Sequence, residues 1–228
     1  MNPIKSIMPK LMDDIDLTIV ESENVFNYLV SGKASEVEMA AFLATLSVKG
    51  SCSKELIGAV NALKPFVKNP LELDISTIDI VGTGGDGLKT YNISTAVAFI
   101  VASNGLYVAK HGNTAVSSKS GASDVLKELG INININKEII NKCLKETNMC
   151  FLFAPNYNNA FKYVAKVRKE LSFRTIFNLL GPLLNPVRAK RQLLGVFSNQ
   201  YLKVLAETLQ AQNSIKSWVV NGSDGMDE

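Results

Sequence analysis

The chain has 228 residues, 46% of them hydrophobic and 20% charged, enough to bury a sizeable core in one domain plus a small accessory domain. Its 24 basic and 21 acidic residues leave a net charge of +3, too mild to make nucleic acid the main partner. The longest apolar run, Ala96 to Ala102, is far below the ~20 residues that span a bilayer, which excludes a membrane helix. Met1 to Ile15 lacks the continuous apolar core of a signal peptide. Cys52, Cys143 and Cys150, without Cys-x-x-Cys spacing, read as packed thiols of a reducing, cytoplasmic compartment.

The first 70 residues read as a helical domain. Thr18-Ile-Val-Glu21 is a capping-box pattern before the stripe Val25, Phe26, Leu29 and Val30, with Gly32 as the stop. Ser35-Glu-Val-Glu38 repeats the device and runs to Gly50, and a third helix over Lys54 to Leu63 halts before Pro65. Three short, alanine-rich helices bury little alone, so they must pack on a larger domain or a second copy.

From residue 71 to 228, strands and helices alternate, the pattern of an α/β domain with a mainly parallel sheet. The strands expected are Thr77–Val81, Leu106–Lys110, Cys150–Ala154, Gln192–Phe197 and Ser217–Val220. The helices are Ser94–Asn104, Ala122–Leu129, Lys137–Glu146, Asn158–Glu170 and Gln200–Ala211. Asn132 to Asn136 alternates but is too polar and short for a core strand. Gly181-Pro and Asn185-Pro read as a rigid turn.

The most informative segment follows the first strand. Gly82-Thr-Gly-Gly-Asp86 supplies glycines that permit positive φ and close backbone approach to a phosphorylated ligand. Asn92-Ile-Ser-Thr95 then opens an apolar helix whose N-terminus favours anions. The P-loop signature is absent, and the spacing misses the dinucleotide fingerprint. Asp86 inside such a loop needs a cation between itself and phosphate, which implies Mg²⁺. The second strand ends in Lys110, a point charge suited to phosphate, and His111, the chain's one histidine, read as a structural hydrogen-bonder before a catalyst. Both lie at the strand end that faces ligand in open α/β sheets.

Arg168, Lys169 and Arg174 read either as a solvated helix end or as a guanidinium site for a carboxylate. Asp224, Asp227 and Glu228 follow Trp218-Val-Val220. They are either a polar terminus or oxygen ligands for a metal at the same sheet edge.

Together, Gly82-Thr-Gly-Gly-Asp86, Asn92-Ile-Ser-Thr95, Lys110-His-Gly-Asn113, Val116-Ser-Ser-Lys-Ser-Gly121, Arg174-to-Pro186 and Gly222-to-Glu228 resemble the anthranilate phosphoribosyltransferase family over essentially the whole chain. The resemblance implies transfer of a phosphoribosyl group from phosphoribosyl pyrophosphate to the amine of anthranilate, releasing pyrophosphate, in tryptophan biosynthesis. It further implies that phosphoribosyl pyrophosphate meets Gly82, Gly85, Asp86, Thr90, Asn92, Ile93, Ser94 and Thr95 in the first loop and helix entrance. On the second loop it implies contacts from Lys110, His111, Gly112, Asn113, Thr114, Ala115, Val116, Ser117, Ser118 and Ala122. Gly82, Asn113 and Arg168 would hold anthranilate. Ser94, Asp227 and Glu228 would hold Mg²⁺, and the helical domain would form a homodimer.

Two departures qualify the resemblance. Thr114 stands where the family usually has arginine, removing one cation. Family members also continue beyond the acidic pair, so a truncated product, one part of a split protein or a fragment is expected, with poor turnover of its own. An aromatic amine needs no strong base, so positioning and electrostatics are expected to supply the rate, with no obligatory acid/base residue. The alternatives are a pyrimidine nucleoside phosphorylase, which would carry a different first loop, and a non-catalytic nucleic-acid-binding relative, which would lack the metal acids.

Overall fold

Side-chain caps start the helices of the first 68 residues. In the computed structural model, which describes residues 2–68, 75–85, 88, 91–114 and 121–227, α1 spans Pro3–Met12 and opens on Asn2, whose Oδ1 accepts from Ile4 N–H. α2 (Ile19–Val30) and α3 (Glu36–Lys49) open on the two expected capping boxes. Thr18 N–H donates to Glu21 at 2.9 Å and Ser35 N–H to Glu38 at 2.9 Å. Lys10 and the Thr18 amide hold the Glu21 carboxyl down at about 2. α4 (Ser53–Leu63) completes the bundle and packs closely on α2. α1 was not among the three helices expected.

The sheet is parallel throughout, as the alternation implies. Its strands are β1 (Ile78–Gly82), β2 (Val108–Gly112), β3 (Met149–Phe153), β4 (Arg191–Gly195) and β5 (Lys216–Val220), in the order β3-β2-β1-β4-β5. Register runs Val81 to Leu194 across the centre and His111 to Leu152 on one side. The connecting helices are α5 (Ile93–Ser103), α6 (Ala122–Glu128), α7 (Lys137–Thr147) and α11 (Leu202–Ala211). The chain between β3 and β4 departs from expectation. Instead of one helix over Asn158–Glu170 it forms α8 (Ala154–Tyr157), a 3₁₀ segment and α9 (Ala165–Leu171). A further helix not expected from the sequence, α10 (Ile176–Leu180), runs into the Gly181-Pro turn, which takes 3₁₀ form over Gly181–Leu184.

α10 matters because it joins the two halves. One apolar core runs from Ile4 in α1 to Leu209 in α11, taking in Phe42, Phe177 and Leu194. Phe26 of α2 meets Phe177 of α10 edge-on at 5.6 Å, and Phe177 meets Phe161 at the same distance. The helical bundle therefore shares its core with the β4 side of the sheet. Among the described residues no helix is long and apolar enough to cross a membrane.

Candidate functional site

β1 is flanked by β2 and β4, and the chain leaves them toward opposite sides of the sheet. The crevice beyond the carboxyl ends of β1 and β4 is thus the switch point where open α/β sheets bind ligand. The glycine loop lies in it. Thr83 N–H donates to the Gly195 carbonyl at 2.9 Å, and Phe197 N–H donates to Thr83 Oγ1 at 3.0 Å, tying the loop to the exit of β4. Gly84 and Gly85 take φ of +65° and +86°, a conformation that L side chains rarely adopt. A Cβ on Gly85 would stand 3.2 Å from Nε of Arg174, whose guanidinium lies over the Phe197 ring at 4.4 Å. Asp86 and Thr90 lie outside the described residues.

α5 begins at the far end of this loop without a side-chain cap. Asn92 Oδ1 and Thr95 Oγ1 are buried there with no hydrogen-bond partner. Ser94 Oγ accepts from Lys110 Nζ at 3.0 Å, and the same ammonium donates to the Ile80 carbonyl at 2.6 Å. Lys110 is only 1% exposed, so its charge sits between β1 and the first turn of α5. That charge reinforces the positive end of the helix from beneath.

His111 is also buried, facing the Gly181 backbone, and its Nε2 lies 3.3 Å from Asn158 Nδ2. An amide N–H donates, so Nε2 accepts and the ring proton sits on Nδ1. Burial pushes the imidazole down to about 4, against the raising effect of the Gly181 backbone, so the ring is neutral at pH 7. Beneath it lies Asp79, wholly buried, whose Oδ1 accepts from His111 N–H at 3.1 Å. Burial pushes this carboxyl up to about 6, opposed by the Asn185 side chain, the Lys110 charge and the His111 amide. Gln192 Nε2 stands 3.5 Å from Asp79 Oδ2 and donates to the Pro182 carbonyl at 2.8 Å. From the sequence, Asp79, Asn158, Asn185 and Gln192 had no role at the site; a lone carboxylate in the run Ile78-Asp-Ile-Val81 was the available signal for the first of them.

Past Gly112, Asn113 and Thr114 are exposed, and the Asn113 carbonyl accepts from Ser123 N–H at 3.3 Å. That bond brings the second loop back to α6, where Ala122 is the first residue and Ser123 Oγ is buried without a partner. Ala115, Val116, Ser117 and Ser118 lie outside the described residues. Arg168, near the end of α9, lies over the rings of Phe161 at 5.8 Å and Phe177 at 5.2 Å. Burial lowers its pKa, and no carboxylate among the described residues pairs with it.

After β5, Gly222 N–H donates to the Met226 carbonyl at 2.7 Å, and Asn221 Nδ2 donates to the Val196 carbonyl at 2.7 Å. This turn holds Asp227, 5% exposed, on the sheet edge that carries the glycine loop. Glu228 lies outside the described residues. Hydroxyl and carboxylate oxygens are the donor chemistry that suits Mg²⁺, so Ser94 and Asp227 fit it, with Lys110 sharing the serine oxygen. The cluster Asp16, Cys52 and Glu55 lies elsewhere, in the bundle, and Lys49 already pairs with both of its carboxylates.

Residues 5–65 match the helical bundle domain, and residues 74–228 the a/b domain, of a glycosyl transferase family. The chain is 46% identical over 228 residues to the anthranilate phosphoribosyltransferase of Rhodopseudomonas palustris (strain BisB18), covering all of this chain and 67% of that one. To the enzyme of the same name from Geobacillus sp. (strain WCH70) it is 47% identical over 224 residues, or 98% of this chain and 66% of that one. The crystal structure of anthranilate phosphoribosyltransferase from Thermus thermophilus superposes with a TM-score of 0.87 at 37% identity, over 100% of this chain and 68% of that one. The Saccharomyces cerevisiae enzyme in complex with PRPP and Mg gives 0.88 at 30% identity, over 99% and 67%. The chain thus spans about two thirds of the length of these relatives.

Proposed function

The chain belongs to the anthranilate phosphoribosyltransferase family, whose reaction moves a phosphoribosyl group from phosphoribosyl pyrophosphate to the amine of anthranilate, and we propose that it does so at the crevice between β1 and β4. The nucleoside phosphorylase and nucleic-acid-binding readings are set aside with that membership. The observation that carries the assignment of the site is the uncapped start of α5, with Thr95 Oγ1 buried and unpartnered beside a glycine loop at positive φ. A diphosphate supplies the acceptors that this end of the helix lacks.

In this reading the diphosphate lies on Gly82 to Gly85 and the entrance Asn92 to Thr95. Lys110 acts through position: its buried ammonium orients the Ser94 hydroxyl and adds positive potential under the first turn. Asp79 and His111 hold the β2 end that presents Gly112 and Asn113. Arg168 binds the carboxylate of anthranilate and, stacked on Phe161 and Phe177, keeps its fork in one orientation. The aromatic amine then meets the anomeric carbon on the face opposite the leaving group, without a base to activate it. Ser94, Asp227 and Glu228 would hold Mg²⁺, which when bound neutralises charge on the departing pyrophosphate. A cytoplasmic homodimer through the helical domain completes the proposal. Val37 and Val48 on α3, 79% and 90% exposed, are the apolar side chains a second copy would cover, which light scattering tests directly.

Calorimetric titration with phosphoribosyl pyrophosphate tests the site. We expect binding that weakens sharply with a chelator and again with Asp86→Ala. Equal affinity with and without Mg²⁺ rejects the metal-bridged arrangement.

A further inference from the structure

At the opposite end of β4 from the glycine loop, about 13 Å away by strand rise, lies a second concavity. Its cavity volume is about 30 Å³, opening into a concavity of about 510 Å³ when the solvent at its mouth is counted. Three cations line it. Lys64 comes from the 3₁₀ turn that ends α4, and Arg188 and Lys190 come from the segment leading into β4. No acidic side chain is among the described residues that line it.

Two observations mark this pocket as suited to an anion. Lys64 has its pKa lowered by burial and then by the charges of Arg188 and Lys190, so like charges face one another without a counter-charge. Gln212 Nε2 is buried on the same wall with no hydrogen-bond partner. Arg188 holds φ of +53°, a conformation uncommon for a bulky residue, kept where the chain turns over Asn185 (Arg188 N–H to the Asn185 carbonyl, 2.9 Å). Lys190 donates to the Gln212 carbonyl at 2.8 Å, which fixes its ammonium at the rim and leaves two of its hydrogens to bond elsewhere.

We propose that this pocket binds a small phosphate-bearing anion of charge −2 or more, held by Lys64, Arg188, Lys190 and the Gln212 amide. Guanidinium, ammonium and amide are all donors, and three positive charges converging on one small space match a phosphate better than a single carboxylate. Occupancy ties the end of α4 to the start of β4, the strand whose far end anchors the glycine loop. The site is separate from the transferase crevice and stands whether or not that crevice is correctly assigned.

The test uses the full chain, titrated with inorganic phosphate and, in a second arm, ribose 5-phosphate. Both should bind the parent. Lys64→Gln and Arg188→Gly should each weaken that binding roughly tenfold, the lower end for loss of a charge-assisted contact. Without added anion, each variant should melt at a higher temperature than the parent, because repulsion is relieved; that readout shows the variants are folded. Tighter binding of ribose 5-phosphate assigns the pocket to an organic phosphate ester, and equal or weaker binding to the free ion. Phosphate affinity unchanged in both variants, or no binding to the parent, overturns the site.

Discussion

Arg168 holds a buried positive charge against two aromatic faces with no carboxylate beside it among the described residues. An unpaired cation in such a place is costly unless a ligand completes it. Arg168→Ala in a complete enzyme should therefore raise the KM for anthranilate about 10- to 150-fold, the range for loss of a charge-assisted pair, with little change in that for phosphoribosyl pyrophosphate. Unchanged anthranilate kinetics would move the acceptor site to Arg174. Asp79 and His111 make a second prediction at this scale, because their shifts oppose each other. The carboxyl of Asp79 is raised from 3.8 to about 6, so its contribution to stability is present below about pH 4 and lost as pH rises through 6. The imidazole of His111 is lowered from 6.5 to about 4, so its contribution is present above 6.5 and lost as pH falls through 4. Each is worth about 3 kcal/mol by the pKa difference, and between pH 4 and 6.5 they nearly cancel. Asp79→Asn should uncover the histidine slope, with stability falling toward acid relative to the parent; His111→Gln should uncover the opposite one. Urea midpoints at both ends of that range decide it, and parallel profiles for parent and Asp79→Asn would remove the coupling.

At the scale of elements, the closest approach in the bundle is between α2 and α4. A Cβ on Gly58 would lie 2.4 Å from the Ile19 carbonyl and 2.6 Å from Ser22 Cβ, and Ser22 Oγ already donates to the Glu55 carbonyl at 2.7 Å. Gly58→Ala gains about 1 kcal/mol of helix propensity but forces the two helices apart, at a cost of about 1–3 kcal/mol for overpacking. We expect net destabilisation, read as a lower denaturation midpoint; a more stable variant would show that the helices separate freely. The capping boxes of α2 and α3 were legible because their acceptor and donor lie three residues apart in the chain. The break between α8 and α9 was not. Asn158 there turns inward to His111, a contact 47 residues away in sequence that outweighs local helical preference.

For the whole molecule, the continuous core makes the bundle a poor independent unit. Phe26 and Phe42 pack toward Phe177, and α4 lies against α11, so residues 2–68 alone would expose the apolar faces that the sheet side now covers. Residues 2–68 expressed alone should show no cooperative melt, and the full chain a single transition. Two separated transitions in the full chain would show instead that bundle and sheet fold apart.

The five strands in their order, the parallel sheet, the capped helices of the bundle, the glycine loop and the family were legible in the sequence, because each is written in short-range patterns: caps, glycine spacing, and apolar runs of strand or helix length. Asp227 was identifiable as an acid that follows the last strand, while Arg168 was singled out from Lys169 and Arg174 by the family resemblance alone. Only the tertiary structure decided what the central charges do. Lys110 reads from its neighbours as a phosphate contact, yet the strand's pleat turns it inward, onto Ile80 and Ser94. Asp79 lies among apolar residues, and its partners His111, Asn185, Gln192 and Lys110 come from β2, from β4 and from the loop before β4. In the second pocket, Lys64 is likewise separated by more than a hundred residues from Arg188 and Lys190, and it meets them through the packing of α4 on α11 and on the 3₁₀ turn over Gly181–Leu184. Burial, and with it the strength of every charge interaction, depends on which distant segments exclude water from a group, and local sequence carries no record of that.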